Sequence, residues 1–130
     1  DFDAVVKFCR DAIAANKGSL FIEGVGGAMV PLDERHTVYH WMAALGLPAI
    51  LVAGTYLGTL SHTLTALDAL RSRRVKVLAI VVNETAGSEV PLTDTVKTLS
   101  NFAGETRVLP LMRNADAAAF NTVAAALGLH

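Results

Sequence analysis

The chain has 130 residues, of which 52% are apolar and 18% charged, with a formal net charge of -1. That length suits one domain whose single core buries roughly two thirds of the unfolded surface, and the near-neutral balance excludes the basic footprint of a nucleic-acid or anionic-membrane binder. Apolar runs such as Ala49 to Ala53 and Val77 to Val82 fall far short of the roughly 20 residues that span a bilayer.

Taken in chain order, Phe2, Val5, Val6, Cys9 and Ile13 recur at helical spacing and predict a first helix over 2–15, stopped by Asn16-Lys17-Gly18. Cys9 is the only cysteine, so no intrachain disulfide forms. A small buried hydrophobe in a reducing, cytoplasmic setting is the expectation. The chain opens on Asp1 rather than Met and shows no signal peptide, from which we expect that something was removed from its front. Residues 19–23 read as a first strand, followed by a helix over about 37–45 with Gly46 in its closing turn and Pro48 beyond. Ala49 to Ala53 is the second strand.

A third helix, about 58–74, carries Leu60, Leu64, Leu67 and Leu70 on one face and ends in the basic cluster Arg71, Arg73, Arg74 and Lys76, which a helix C-terminus favours. Then come a strand at 77–82, a turn-rich link over 85–90, a helix at about 92–102, a fourth strand at about 106–111 and a last helix over 115–127 before Gly128. Strands alternating with helices indicate a single α/β domain over 1–130, a parallel sheet with helices on both faces. The strand runs are continuous rather than alternating, as expected of strands covered on both sides.

Ligands in open α/β sheets bind beyond the carboxyl ends of the strands. Those ends are Glu23, Gly54, Asn83 and Pro110, each followed by a loop rich in small or polar residues, 24–27, 55–61, 84–88 and 113–114. The segment from Leu20 to Leu32 is the most distinctive. Its apolar run meets Glu23 and then Gly24, Gly26 and Gly27, so backbone N–H groups can approach an anion while the carboxylate holds a hard cation. A glycine-rich loop with a solvated glutamate has the same composition. A triphosphate site of this kind usually needs G-x-x-x-x-G-K-[ST] between a strand and a helix, and no such segment occurs in the 130 residues. Lys17-Gly18-Ser19 has the wrong order, and Lys97-Thr98 lies within a helix. Either the site takes another ligand, or the P-loop lies in a preceding segment.

Three segments together resemble the C-terminal portion of the dethiobiotin synthetase family. Glu23-Gly24-Val25-Gly26-Gly27 with Val30-Pro31-Leu32 is similar to that family's E-G-A-G-G…P-L, Leu57 to Thr65 to its L-G-x-x-N-H-x-x-L-T, and Val81-Val82-Asn83 to its strand ending in asparagine. The resemblance covers nearly the whole chain, and it implies a P-loop NTPase-like three-layer fold with a deviant Walker A. By the resemblance, Glu23 ligates Mg2+, Glu23, Gly24, Val25 and Gly26 contact the nucleotide phosphates, and Asn83 with Glu84 recognises adenine. Pro110, Leu111 and Met112 border the base. Gly27, Leu57, Gly58 and Ser61 belong to the diamine site at a homodimer interface. The implied reaction is a Mg2+-dependent ligation. CO2 forms a carbamate on 7,8-diaminopelargonic acid, ATP phosphorylates it, and the second amine closes the ureido ring. Ser61 stands where the family commonly has asparagine, which removes an amide donor. The family's P-loop and catalytic lysine have no counterpart here, so no catalytic residue is assigned and the chain alone is expected to be inactive.

Other readings of these residues stay open. Asn83 also suits a simple turn. His36 and His40 share a helix face at i, i+4, but no third metal ligand stands at suitable spacing. His62 fits packing near a helix start or a dimer contact better than a base, and a triad of Ser61, His62 and Asp68 fails because adjacent helical residues do not face each other. Competing functions are another deviant P-loop amide synthetase, such as a cobyrinic acid amide synthetase, and a non-catalytic dimerisation or regulatory module of the same fold.

Overall fold

A computed structural model describes residues 1–129. Its elements are α1 (Phe2–Ala15), α2 (Val38–Leu45), β1 (Ala49–Gly54), α3 (Thr59–Ser72), β2 (Val77–Asn83), α4 (Leu92–Phe102), β3 (Arg107–Leu111) and α5 (Ala117–Leu127). The strands form a parallel sheet in the order β1-β2-β3. β2, rich in β-branched residues, is the central strand, and Ala79, Ile80, Val81 and Val82 are all buried there. The expectation of two-sided cover therefore holds for β2. It does not hold for the whole of β1, an edge strand on which Val52 is 66% exposed.

On one face, α3 and α4 pack side by side across the strands. Ala53 of β1, Leu67 of α3, Ile80 and Val82 of β2, and Leu99 and Ala103 at the end of α4 close the main core. α5 packs against β3. A second cluster unites Val6 and Cys9 of α1 with Val38 and Trp41 of α2, and Ile22 and Val30 pack onto it. A third, Ala49, Leu70 and Val75, touches α2 residues Met42 and Ala43. No helix of the described residues is long and apolar enough to cross a membrane.

Several boundaries follow from caps. The Asp1 carboxylate accepts from the Asp3 and Ala4 N–H groups and starts α1. α2 is capped at its start by Thr37, whose N–H donates to His40 Nδ1 at 3.0 Å, and at its end by left-handed Gly46. α3 stops at Ser72 rather than Arg74, because the chain reverses through Arg74 at φ 59° while the Val75 N–H returns to the Leu70 carbonyl at 3.0 Å. α5 begins two residues later than 115, since Asp116 caps it by accepting from the Ala119 N–H at 2.9 Å. Two of the four residues in the basic cluster are engaged. Arg71 donates to the Ala103 carbonyl and to Thr106 Oγ1, and Arg73 Nε donates to the Tyr39 hydroxyl at 2.6 Å while its guanidinium lies over that ring.

The expected strand at residues 19–23 does not form. This stretch carries no ladder bonds, and among the described residues the sheet has three strands rather than four. Apolar, extended composition is enough to suggest a strand, but a strand exists only where a neighbour supplies donors and acceptors, and residues 19–23 pair with none of β1, β2 and β3. Phe21 is 68% exposed, while Ile22 turns inward to the α1–α2 cluster.

Candidate nucleotide site

Parallel pairing gathers the carboxyl ends of the strands on one edge, where register sets Gly54, Asn83 and Leu111 in one row. Each end is then fastened. Beyond β1, Thr59 Oγ1 donates to the Gly54 carbonyl at 2.7 Å and fixes the start of α3. Beyond β2, the Glu84 N–H donates to the Leu111 carbonyl at 2.9 Å, and its carboxylate accepts from the Arg113 N–H at 3.1 Å. Glu84 thus ties the turn after β2 to the turn after β3.

Between these turns and the start of α5 lies a pocket of about 410 Å³. Glu84, Pro110, Leu111 and Met112 line it, four residues singled out for the adenine, together with the 114–116 turn and Ala119. Its wall is mainly apolar, and its polar lining residues are Glu84, Asn114 and Asp116. Such a chamber suits a flat heterocycle with an exocyclic amine, which stacks on apolar surface and donates to a carboxylate. Asn83 stands exposed at the same edge but outside the lining.

Asn114, Ala115, Asp116 and Ala119 enter the wall without having been assigned a role from sequence. The polar 113–114 loop was visible there as a strand-end loop. Asp116 carried a further signal, because an Asp just before an apolar helical run marks an N-cap, and the cap brings the helix start over the pocket.

The Glu23 loop is built on a different part of the molecule. Gly24 lies against α2 so closely that a Cβ there would meet Val38 Cγ1 at 2.9 Å, and Gly26 takes φ +74° with Val30 Cγ2 2.8 Å from the position of its missing Cβ. These contacts explain two of the three glycines. Gly27 has open space around it. Val25 is exposed, and the Glu23 carboxylate is exposed and makes no hydrogen bond or ion pair among the described residues. None of residues 23–27 lines the pocket beside Glu84. No group of three or more His, Cys, Asp or Glu side chains converges among the described residues. A lone free carboxylate fits Mg2+, which is commonly held by one or two carboxylates together with water and phosphate oxygens, and does not fit zinc.

At the other end of the row, Gly58 takes φ +93° as the N-cap of α3 with the His62 ring packed beside it, and Leu57 projects 94% exposed. Ser61 and His62 face outward. His36 and His40 are committed to local packing. His36 stacks on Phe2 with ring centroids 4.0 Å apart and bonds Asp33 through Nδ1, while His40 Nδ1 caps Thr37. The Asp33 carboxyl is lowered to about 2, chiefly because its oxygen accepts from the Arg35 N–H and then from His36.

The sequence model of an AAA domain family matches residues 2–118. The chain belongs to that family. Among its relatives, an ATP-dependent dethiobiotin synthetase of Acidiphilium cryptum is 50% identical over 105 residues, which cover 81% of this chain and 47% of that protein. Another of the same name, from Methylobacterium nodulans, is 42% identical over 111 residues, covering 84% of this chain and 49% of the relative. A third, from Phenylobacterium zucineum, is 45% identical over 98 residues. The resemblance carried by the Glu23, Leu57 and Asn83 segments of this AAA-domain chain thus extends over most of its length. The chain spans about half the length of the curated relatives it matches.

Proposed function

We propose that this AAA-domain chain supplies the base pocket, and the metal-bearing carboxylate, of an ATP-dependent dethiobiotin synthetase that acts in biotin biosynthesis. The observation that carries this reading is the pocket of Glu84, Pro110, Leu111 and Met112 at the carboxyl edge of a parallel sheet, in a chain half identical over 105 residues to a protein of that name. Adenine would lie against Pro110 and Leu111 with its amino group toward Glu84, and Asn83 would close the edge above it. Glu23 would hold Mg2+, with the backbone of Gly24, Val25 and Gly26 toward the phosphates. Mg2+ bound there would offset the charge on the phosphoryl group passing from ATP to the carbamate.

The co-substrates on this reading are CO2 and 7,8-diaminopelargonic acid. The diamine would lie near Gly27, Gly58 and Ser61 at a homodimer interface, into which the exposed Leu57 would project. On this reading the phosphate-cradling lysine would come from outside residues 1–130, and these residues would supply the base pocket and the metal ligand rather than turnover by themselves.

The test is a titration of the isotopically labelled chain with adenosine and with ATP–Mg2+, followed by amide chemical shifts. Saturable movement of the Glu84, Leu111 and Met112 signals is expected with adenosine, with added movement at 23–26 for ATP–Mg2+. Guanosine should leave all of them in place. If adenosine moves none of the pocket amides, the assignment of the base site is wrong.

A further inference from the structure

Next in sequence to the pocket residue Glu84, Thr85 exchanges side-chain-to-backbone bonds with Thr55, 30 residues earlier. The Thr55 N–H donates to Thr85 Oγ1 at 3.0 Å, and the Thr85 N–H donates to Thr55 Oγ1 at 2.9 Å. Thr55 is fully buried. Ser88 adds a third fastening by donating its hydroxyl to the Thr55 carbonyl while accepting from the Val90 N–H. The β1–β2 ladder ends at Gly54 and Asn83, so these hydroxyls continue the pairing one step beyond the sheet. They also divide the turn after β2 between two neighbours, since the Glu84 N–H bonds toward β3 and the Thr85 N–H toward β1.

The clasp leaves no slack. A Cβ on Gly54 would stand 2.6 Å from Thr85 Oγ1 and 2.9 Å from the Tyr56 ring, so β1 must end in glycine for the hydroxyl to reach. Thr85 follows the pocket wall residue Glu84, and Thr55 opens the 55–61 segment that carries Leu57, Gly58 and Ser61. We propose that the Thr55–Thr85 clasp is a positioning device that holds Glu84 in place and mechanically couples the base pocket to the Tyr56–Ser61 segment at the start of α3. The part of this concerning a bound base rests on the proposed function, whereas the coupling stands on the geometry alone.

Thr85→Val keeps the shape of the side chain but leaves the buried Thr55 N–H without its acceptor. The expected results are a tenfold or greater loss of adenosine affinity and displaced amide signals at both Glu84 and Tyr56–Ser61. Thr85→Ser restores the acceptor and should return affinity to within about twofold. Leu70→Ala, in the cluster with Ala49 at the opposite end of the sheet, lowers stability without touching the clasp and should leave affinity and these signals unchanged. A Thr85→Val protein whose Glu84 and Tyr56–Ser61 signals coincide with the parent's overturns the proposal. If the parent chain binds no adenosine, the base-site reading fails, and the clasp is still judged by whether Thr85→Val moves the Tyr56–Ser61 signals. Should Thr85→Val fail to fold, hydrogen exchange in the parent decides. The Thr55 and Thr85 amides must be protected together and open at one rate, and free exchange of either one refutes the clasp.

Discussion

Gly26→Ala and Gly27→Ala form a matched pair in one loop for which the structure demands opposite outcomes. Gly26 sits at φ +74°, a left-handed conformation that costs an L-residue about 1–2 kcal/mol. The added methyl would also stand 2.8 Å from Val30 Cγ2. Val30 packs onto the Val6, Cys9, Val38 and Trp41 cluster, and a β-branched side chain has little rotamer freedom with which to withdraw, so overpacking adds about 1–3 kcal/mol. The sum is a destabilisation of about 3 kcal/mol, or roughly 10 °C in Tm for a chain of this size. At Gly27 nothing lies within 4 Å of the added methyl, so the change should stay within about 0.5 kcal/mol or stabilise slightly through the unfolded state. Urea unfolding followed by fluorescence of the single tryptophan, Trp41, and by circular dichroism measures both variants, and Trp41 belongs to the cluster that Val30 supports. Equal stabilities for the two variants, within about 0.5 kcal/mol, would refute the account of why Gly26 is glycine.

Three further outcomes are expected. Leu99→Ala removes a fully buried side chain from the main core and should cost about 2–5 kcal/mol in urea unfolding. Asp33 titrates near 2 in the folded chain, below its ordinary 3.8, so its contribution to stability is present above about pH 4 and is lost as the pH falls toward 2. Asp33→Asn should therefore flatten the stability profile between pH 5 and 2 relative to the parent, and an unchanged slope would contradict the bonds assigned to that carboxylate. Glu23→Gln should leave the melting temperature unchanged, since the carboxylate is exposed and without a partner, while weakening the Mg2+ dependence of nucleotide binding. Identical Mg2+ titrations for parent and variant would remove Glu23 as the ligand.

The sequence by itself determined the local elements that carry their own stop and start signals. α1 and α4 match their expected spans, with Asp1 and Pro91 at their N-caps, and β1 and β2 run one residue past theirs. It also determined that Glu84, Pro110, Leu111 and Met112 belong to one edge, because parallel pairing gathers strand ends. Only the tertiary structure decided the fate of residues 19–23, since an extended apolar segment becomes a strand only when a neighbour offers its backbone groups. Only the tertiary structure joined Thr55 to Thr85, 30 residues apart, and brought Asp116 into the pocket wall. Composition and periodicity describe what a segment can do alone, whereas a pocket or a clasp depends on which segments meet.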